Sequence, residues 1–365
     1  LITWRTAAGL TALAVGLTVF EPSGASAQQA AGDAMPQRSF PAQDLETKPP
    51  VEVVEIPDWR GRARDMIAAL SEYGHGRAPA FTLMMRGQPD LLFQTESDDA
   101  LAELLRGPSA LEDLVGDGPP PTGTMNRQFA RTLDGLVADN LYCSDTPPLT
   151  DAQIAEAEDF GLSVFSIERC DDAVTAQEAR RWSSERGIIS HIATTDRLNS
   201  VPTGRLRDAT PKMVQAAGEA ENVLFVLENR RFPAKVDWLN ALRATNFDML
   251  VVAPFYKGDV PLSADEVYSL KFKKMGSPRL VIAHLPLTEA RDTAWYWKET
   301  WRVGEPTFIK ARGPEAGTYI VDFADPEWRT IIGETFSGLM DLGFDGVMLD
   351  GLNAVEALSE DSLLN

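Results

Sequence analysis

Between Pro326 and Leu342 the apolar residues Trp328, Ile331, Ile332, Phe336, Leu339 and Met340 recur at three- and four-residue spacing, which predicts a helix with one buried face. Pro326 suits its first turn and Gly343 its end. The next run, Val347 to Leu349, is apolar on both faces, as in a parallel strand covered by helices. Asp350 therefore falls at the carboxyl end of a strand, where barrel enzymes place their chemistry. The same alternation runs back through the chain. It predicts strands over 81–85, 136–142, 162–167, 188–193, 223–227, 249–253, 280–285 and 347–349. Helices are predicted over 58–74, 125–133, 151–160, 175–186, 235–244, 263–274, 288–300 and 326–342. A looser segment, Leu198 to Pro211, carries Pro, Gly and Thr without a period and reads as a linker. Four strands precede it and four follow. Eight parallel strands with short connections can close and leave no edge, so the predicted fold is α/β, a single (β/α)8 TIM barrel over residues 51–365.

The first residues have a different pattern. Arg5, the apolar stretch Ala7 to Phe20 and Ala25-Ser26-Ala27 read as an export signal over residues 1–27, too short for a comfortable membrane span. Residues 28–50, rich in Ala, Gln, Pro and Asp, read as a solvated tether. The expected address is periplasmic or secreted, with no stable membrane span after cleavage of the signal. Cys143 and Cys170 follow neighbouring predicted strands, and in an oxidising compartment they form either a bridge or two unpaired thiols. His75, His191 and His284 are far apart in sequence and show no zinc spacing, so no metal and no cofactor is expected; they read as packing or substrate-contact residues. A net charge of -20 argues against nucleic acid and suits a cationic partner or simple solubility. Neither a phosphate-binding glycine loop nor a Gly-x-Ser-x-Gly elbow occurs.

Three segments of the second half carry a resemblance: Ala283-His-Leu-Pro-Leu-Thr-Glu-Ala-Arg-Asp292 followed by Trp295-Tyr296-Trp297, then Asp325-Pro-Glu-Trp328, then Gly343-Phe-Asp-Gly-Val-Met-Leu-Asp350. They are similar to the third-strand loop, the helix start and the fourth strand of glycoside hydrolase family 114, the endo-α-1,4-polygalactosaminidases. The first half resembles the other end of that family: Asp58-Trp59 and Phe81 to Gln88 are similar to its fifth unit, and Leu133 to Tyr142 to its sixth strand. Ser163 to Glu168 and Gly187 to Asp196 are similar to its seventh and eighth strands. In this order the chain runs strands five to eight over 51–197, a linker over 198–221, and strands one to four over 222–365. The implied fold is a circularly permuted, monomeric barrel; the competing arrangement is two half-barrels completed by a partner chain.

Glycoside hydrolysis needs a proton donor for the leaving oxygen and a second carboxylate. The resemblance implies Asp350 as nucleophile and Asp139 where the family has its acid/base Glu. It also implies substrate-contact roles for Glu289, Asp292, Glu228, Asn229 and Glu168, with His284 and Arg86 at neighbouring strand ends and Trp295 and Tyr296 as a stacking face. Acids common in the family are missing at Ala253, Arg291 and Asn353, Thr288 replaces a Gly, and Arg86-Gly87 stands where a Gln-Asn pair is usual. The leading expectation is an exported hydrolase acting on an amino-sugar polysaccharide. The alternatives are a catalytically impaired carbohydrate-binding barrel and a structural envelope protein without ligand.

Overall fold

Short runs of Val, Leu, Ile, Met and Phe form the walls of a nearly closed barrel. The coordinates are a computed structural model, which describes residues 57–106, 122–195, 197–204, 206 and 209–358, so the signal and tether lie outside the described residues. All of these belong to the unit Glu55–Asn365. The barrel strands are β1 (Thr82–Arg86), β2 (Gly135–Asp139), β3 (Ser163–Glu168), β4 (Ile189–Ile192), β5 (Val223–Val226), β6 (Met249–Val252), β7 (Leu280–Pro286) and β8 (Gly346–Asp350). The hydrogen-bonded order is β4-β3-β2-β1-β8-β7-β6-β5, each pairing parallel.

The open seam between β4 and β5 is spanned by side chains. His191 packs 5.7 Å from the Phe225 ring and bonds to the Val223 backbone; burial pushes its imidazole down to about 4, so it stays neutral. The Leu198 carbonyl accepts from Leu227 N–H at 2.9 Å. Below the seam, the fully buried Lys273 pairs with Asp248 and donates to the carbonyls of Thr210 and Lys212, which ties the linker to the barrel floor.

Burial on both strand faces explains the unbroken apolar runs. Met84, Val137, Phe165, Phe225, Val251, Ile282 and Met348 fill the interior, while Leu83, Leu136, Val164, Leu224, Leu250, Val281 and Val347 belong to the layer that includes the helices. Gly346 is required at the start of β8, because a Cβ there would lie 2.2 Å from the Thr82 carbonyl oxygen.

The helices are α1 (Trp59–Arg77), α2 (Glu96–Arg106), α3 (Arg127–Ala130), α4 (Asp151–Phe160), α5 (Ala173–Glu185), α6 (Lys235–Arg243), α7 (Ala264–Leu270) and α8 (Pro326–Asp341). Asp58 caps α1 through Gly61 N–H, and Asp325 caps α8 through Glu327 N–H. Gly343, with φ of +84°, turns the chain out of α8. α1 lies against α8, with Tyr73 Oη 3.0 Å from Ser337 Oγ and the Tyr73 and Phe336 rings 6.2 Å apart. No helix among the described residues is long and apolar enough to cross a membrane.

One predicted helix is wrong. Residues 288–300 form a strand, Glu289–Arg291, followed by turns; this strand joins Thr318–Val321 and Ile309–Arg312 in an antiparallel flap. Trp295, Tyr296, Trp297 and Trp301 have a helix-like spacing but satisfy it by packing on one another and on Tyr319, Phe308 and Trp328.

Candidate active site at the carboxyl ends of the strands

The last residue of β8, Asp350, is the centre of the strand-end cluster. Its Oδ2 accepts from Arg86 Nη1 at 2.8 Å and lies 2.8 Å from His284 Nε2, while Oδ1 accepts from Gly351 N–H at 2.7 Å. Parallel register makes this possible: Asp350 stands opposite Pro286 on β7, and Leu349 opposite Met85 on β1, so His284 and Arg86 flank the carboxylate. Burial alone would push this carboxyl up. The charge of Arg86, the bond and charge of His284 and the Gly351 amide outweigh it and hold Asp350 well below the usual carboxylate range.

Arg86 also reaches Asp139 at 3.0 Å, and Arg169 donates to the same carboxylate at 2.8 Å. The structure thus brings Asp350 and Asp139 to one rim, but with a guanidinium between them. Asp139 is held by two arginines, with its side chain 30% exposed. The donor role expected for it rests on the resemblance alone, and its two charged partners here are cations.

Glu168 also departs from its expected substrate contact. It is fully buried, and its two oxygens accept from the backbone N–H groups of Leu141, Tyr142 and Cys143 at 3.0–3.2 Å. A bridge between Cys143 and Cys170, with Cα atoms 5.2 Å apart, fastens the same loop. Among the described residues Cys143, Glu168 and Cys170 are close enough to hold a metal, but both sulfurs are spent in the bridge. With 27 residues of sequence separation between the cysteines, reduction should lower unfolding stability by about 3.5 kcal/mol on the loop-entropy model. Urea unfolding with and without reductant measures this.

The second carboxylate that faces the site comes from the flap. Glu289 follows Thr288, whose hydroxyl donates to the Gly351 carbonyl, and its Cβ lies 3.8 Å from the position a Cβ on Gly351 would take. Its Oε1 accepts from Arg291 at 3.1 Å. Burial pushes Glu289 up; Arg291 pulls it back by charge and hydrogen bond, Asp350 and Glu315 add to the push, and the net displacement is upward. Asp292 is exposed, with its carboxylate 2.6 Å from where a Cβ on Gly317 would be, and is not among the residues lining the cavity.

Beside this pair lies a cavity of about 120 Å³ whose lining includes His284, Glu228, Arg230, Lys257, Arg291 and Trp295. Trp295 is 46% exposed. Tyr296 lines the same cavity but is mostly packed, its ring 5.4 Å from that of Trp328. Asn229 is buried and organises the wall: its Oδ1 accepts from Lys257 N–H at 2.8 Å and its Nδ2 donates to the Phe255 carbonyl at 2.9 Å. Glu228 lies 3.8 Å from Arg197. Sequence reasoning missed Arg169 and the two cavity cations Arg230 and Lys257, since arginines and lysines after strands carry no distinguishing spacing. It noted Arg291 only as a lost acid.

No family model matches the chain. Over 119 residues, 32% of this chain and 37% of the relative, it is 31% identical to an uncharacterized protein of Deinococcus radiodurans. Over 124 residues, 34% and 35% of the two chains, it is 29% identical to an uncharacterized protein of Methanocaldococcus jannaschii. The matches span about a third of the length of these curated relatives. Among solved structures, the glycoside hydrolase domain of a PelA variant from Pseudomonas aeruginosa is 20% identical and covers 39% of this chain and 51% of its own, with a TM-score of 0.27. The spore cortex-lytic enzyme SleL of Bacillus cereus is 12% identical and covers 64% and 69%, with a TM-score of 0.32. Likenesses this small carry no weight for the site.

Proposed function

We propose that the barrel is an exported glycoside hydrolase in which Asp350 and Glu289, rather than Asp350 and Asp139, perform the chemistry. The observation that carries this is one pair of neighbouring carboxylates in opposite environments: Asp350 is held ionised by Arg86, His284 and Gly351 N–H, while Glu289 is pushed toward its protonated form. Separation of this kind assigns acid and base roles in known carboxylate enzymes. Asp350 would attack the anomeric carbon as the glycosidic C–O bond breaks, and Glu289 would pass its proton to the departing oxygen. Water, losing a proton to Glu289, would then release the sugar from Asp350.

Reducing-end release from a panel of neutral, cationic and anionic polysaccharides tests the reading. Glu289→Gln should lower the wild-type rate by about 10²–10⁴-fold and remove the alkaline limb of the pH profile, where the acid must still be protonated. Failure of the wild type to release ends from any of them would overturn it. One observation favours a second reading, a barrel that binds sugar without cleaving it: the Arg86 guanidinium between Asp350 and Asp139 occupies ground that two cooperating carboxylates would leave open. Binding without release by the wild type is its signature.

The formed disulfide supports the proposed oxidising, exported setting. The helix layout supports the permuted order. The segment between β4 and β5 holds only a 3₁₀ turn, Ala217–Glu219, among its described residues, whereas α1, the first helix among the described residues, packs against α8. In an unpermuted barrel the helix after β8 would fill the slot that α1 takes here. A closed eight-strand ring keeps the same neighbour order wherever its chain begins, so topology alone is neutral on the point.

A further inference from the structure

The charge around the cavity opposes the charge of the whole chain. The protein carries -20 overall, yet the charged cavity wall is Arg230, Lys257 and Arg291 against Glu228 alone. Two of the cations are free of acid partners: Arg291 pairs with Glu289, while neither Arg230 nor Lys257 has a carboxylate within ion-pair distance among the described residues. They are also built in. Lys257 has a left-handed backbone, φ of +57°, held by the buried Asn229 through its N–H. Gly258, at φ of +103°, allows the turn to lie against Thr293, where a Cβ would come within 2.7 Å of the hydroxyl. Arg230 Nη2 donates to that same hydroxyl at 3.3 Å. The loops after β5 and β6 and the flap thus lock together with one guanidinium, of Arg230, and one ammonium, of Lys257, at the cavity.

The position fixes what such charges can serve. His284 and Arg291, on the cavity wall, are the direct partners of Asp350 and Glu289, so a ligand in the cavity adjoins the carboxylate pair. The half-exposed Trp295 offers an apolar face of the kind on which a sugar ring stacks. Free cations beside an aromatic platform favour a carboxylate or sulfate on a sugar ring and disfavour an ammonium.

We infer that this cavity is a subsite for an acidic sugar, with Arg230 and Lys257 receiving its anionic group and Trp295 its ring. This rests on the barrel being a carbohydrate protein, and it reverses the amino-sugar preference that net charge suggests. Net charge acts over many ångströms and is screened at physiological salt, whereas a direct contact at a partly enclosed cavity is screened less.

Calorimetric titration of Asp350→Asn protein, in which hydrolysis does not complicate binding, tests the subsite. The probes are trigalacturonate, a sulfated galactose trisaccharide, N-acetylated chitotriose and its deacetylated form. Acidic probes should bind at least about tenfold tighter than the neutral one, and the deacetylated probe weakest. Arg230→Gln with Lys257→Gln should remove that advantage, and Arg230→Glu with Lys257→Glu should reverse it toward the deacetylated probe. Preference for trigalacturonate alone, or for the sulfated probe alone, names the anionic group. Equal binding of neutral and acidic probes, or an acidic preference that survives both double variants, overturns the subsite. Because binding is read without turnover, either outcome is separate from reducing-end release by the wild type.

Discussion

Asp350→Asn should abolish reducing-end release, with a fall on the order of 10⁴-fold or more in kcat, because it removes the one group that can bond covalently to the sugar. The fold should survive. Asn retains an oxygen for His284 or Gly351 N–H, and Arg86 keeps Asp139 as its counter-charge. The loss of a charge-assisted bond to Arg86 should cost about 1–3 kcal/mol in unfolding stability, small beside the catalytic effect. Oligosaccharide affinity should change far less than kcat, since the charged groups of the cavity wall are untouched. A variant that keeps even a hundredth of the wild-type rate would remove Asp350 from the nucleophile position and leave the binding-only reading.

The barrel was legible because its signals are local and redundant. Runs such as Val347 to Leu349 are buried on both faces, and Asp325, Pro326 and Gly343 mark the ends of α8, so each strand end could be placed within a few residues. The flap was not legible. Trp295-Tyr296-Trp297 beside Trp301 repeats at helical intervals, and nothing in that spacing distinguishes a helix stripe from an aromatic cluster knitted together by Thr318–Val321, about 20 residues further on.

The site shows the same division. Asp350 was legible as an acid ending a buried strand. Glu168 also ends a strand, yet it turns inward to bind three loop amides, and only the tertiary fold separates the two cases. The arginine clamp on Asp139 was not legible, because Arg169, thirty positions away in sequence, and Arg86, fifty-three away, converge on it only in the fold. Glu289 owes its upward displacement to burial in the flap strand Glu289–Arg291, a segment that the sequence reading had made a helix. The positive cavity was hidden for a simpler reason: a net charge sums over the chain and says nothing about where the few arginines and lysines gather.

Arg86→Met offers the sharpest test of the electrostatic account. The guanidinium is the largest counterweight to the burial of Asp350, so its removal leaves a sequestered carboxylate with only His284 and one backbone N–H. A loss of about 3–5 kcal/mol in unfolding stability at pH 7 is expected, the cost of breaking a buried ion pair from one side. The pH dependence separates this from lost packing. In the wild type the folded-state pKa of Asp350 is depressed, so its contribution is fully present above the unfolded value, about 3.9, and disappears only as pH falls through the depressed folded value. In the variant, burial is less opposed and the folded pKa rises, so the ionised carboxylate becomes a burden at neutral pH that protonation relieves. The stability gap between the two proteins should therefore be widest near neutrality and narrow as the pH is lowered through about 4 and below. The acid limb of the rate profile should move to higher pH in the same variant, because catalysis requires Asp350 ionised. Urea unfolding across this range, alongside reducing-end assays, measures both shifts. A gap that stays constant with pH would mean that Arg86 stabilises the barrel by packing alone, and the assignment of Asp350 as the permanently ionised member of the pair would fall with it.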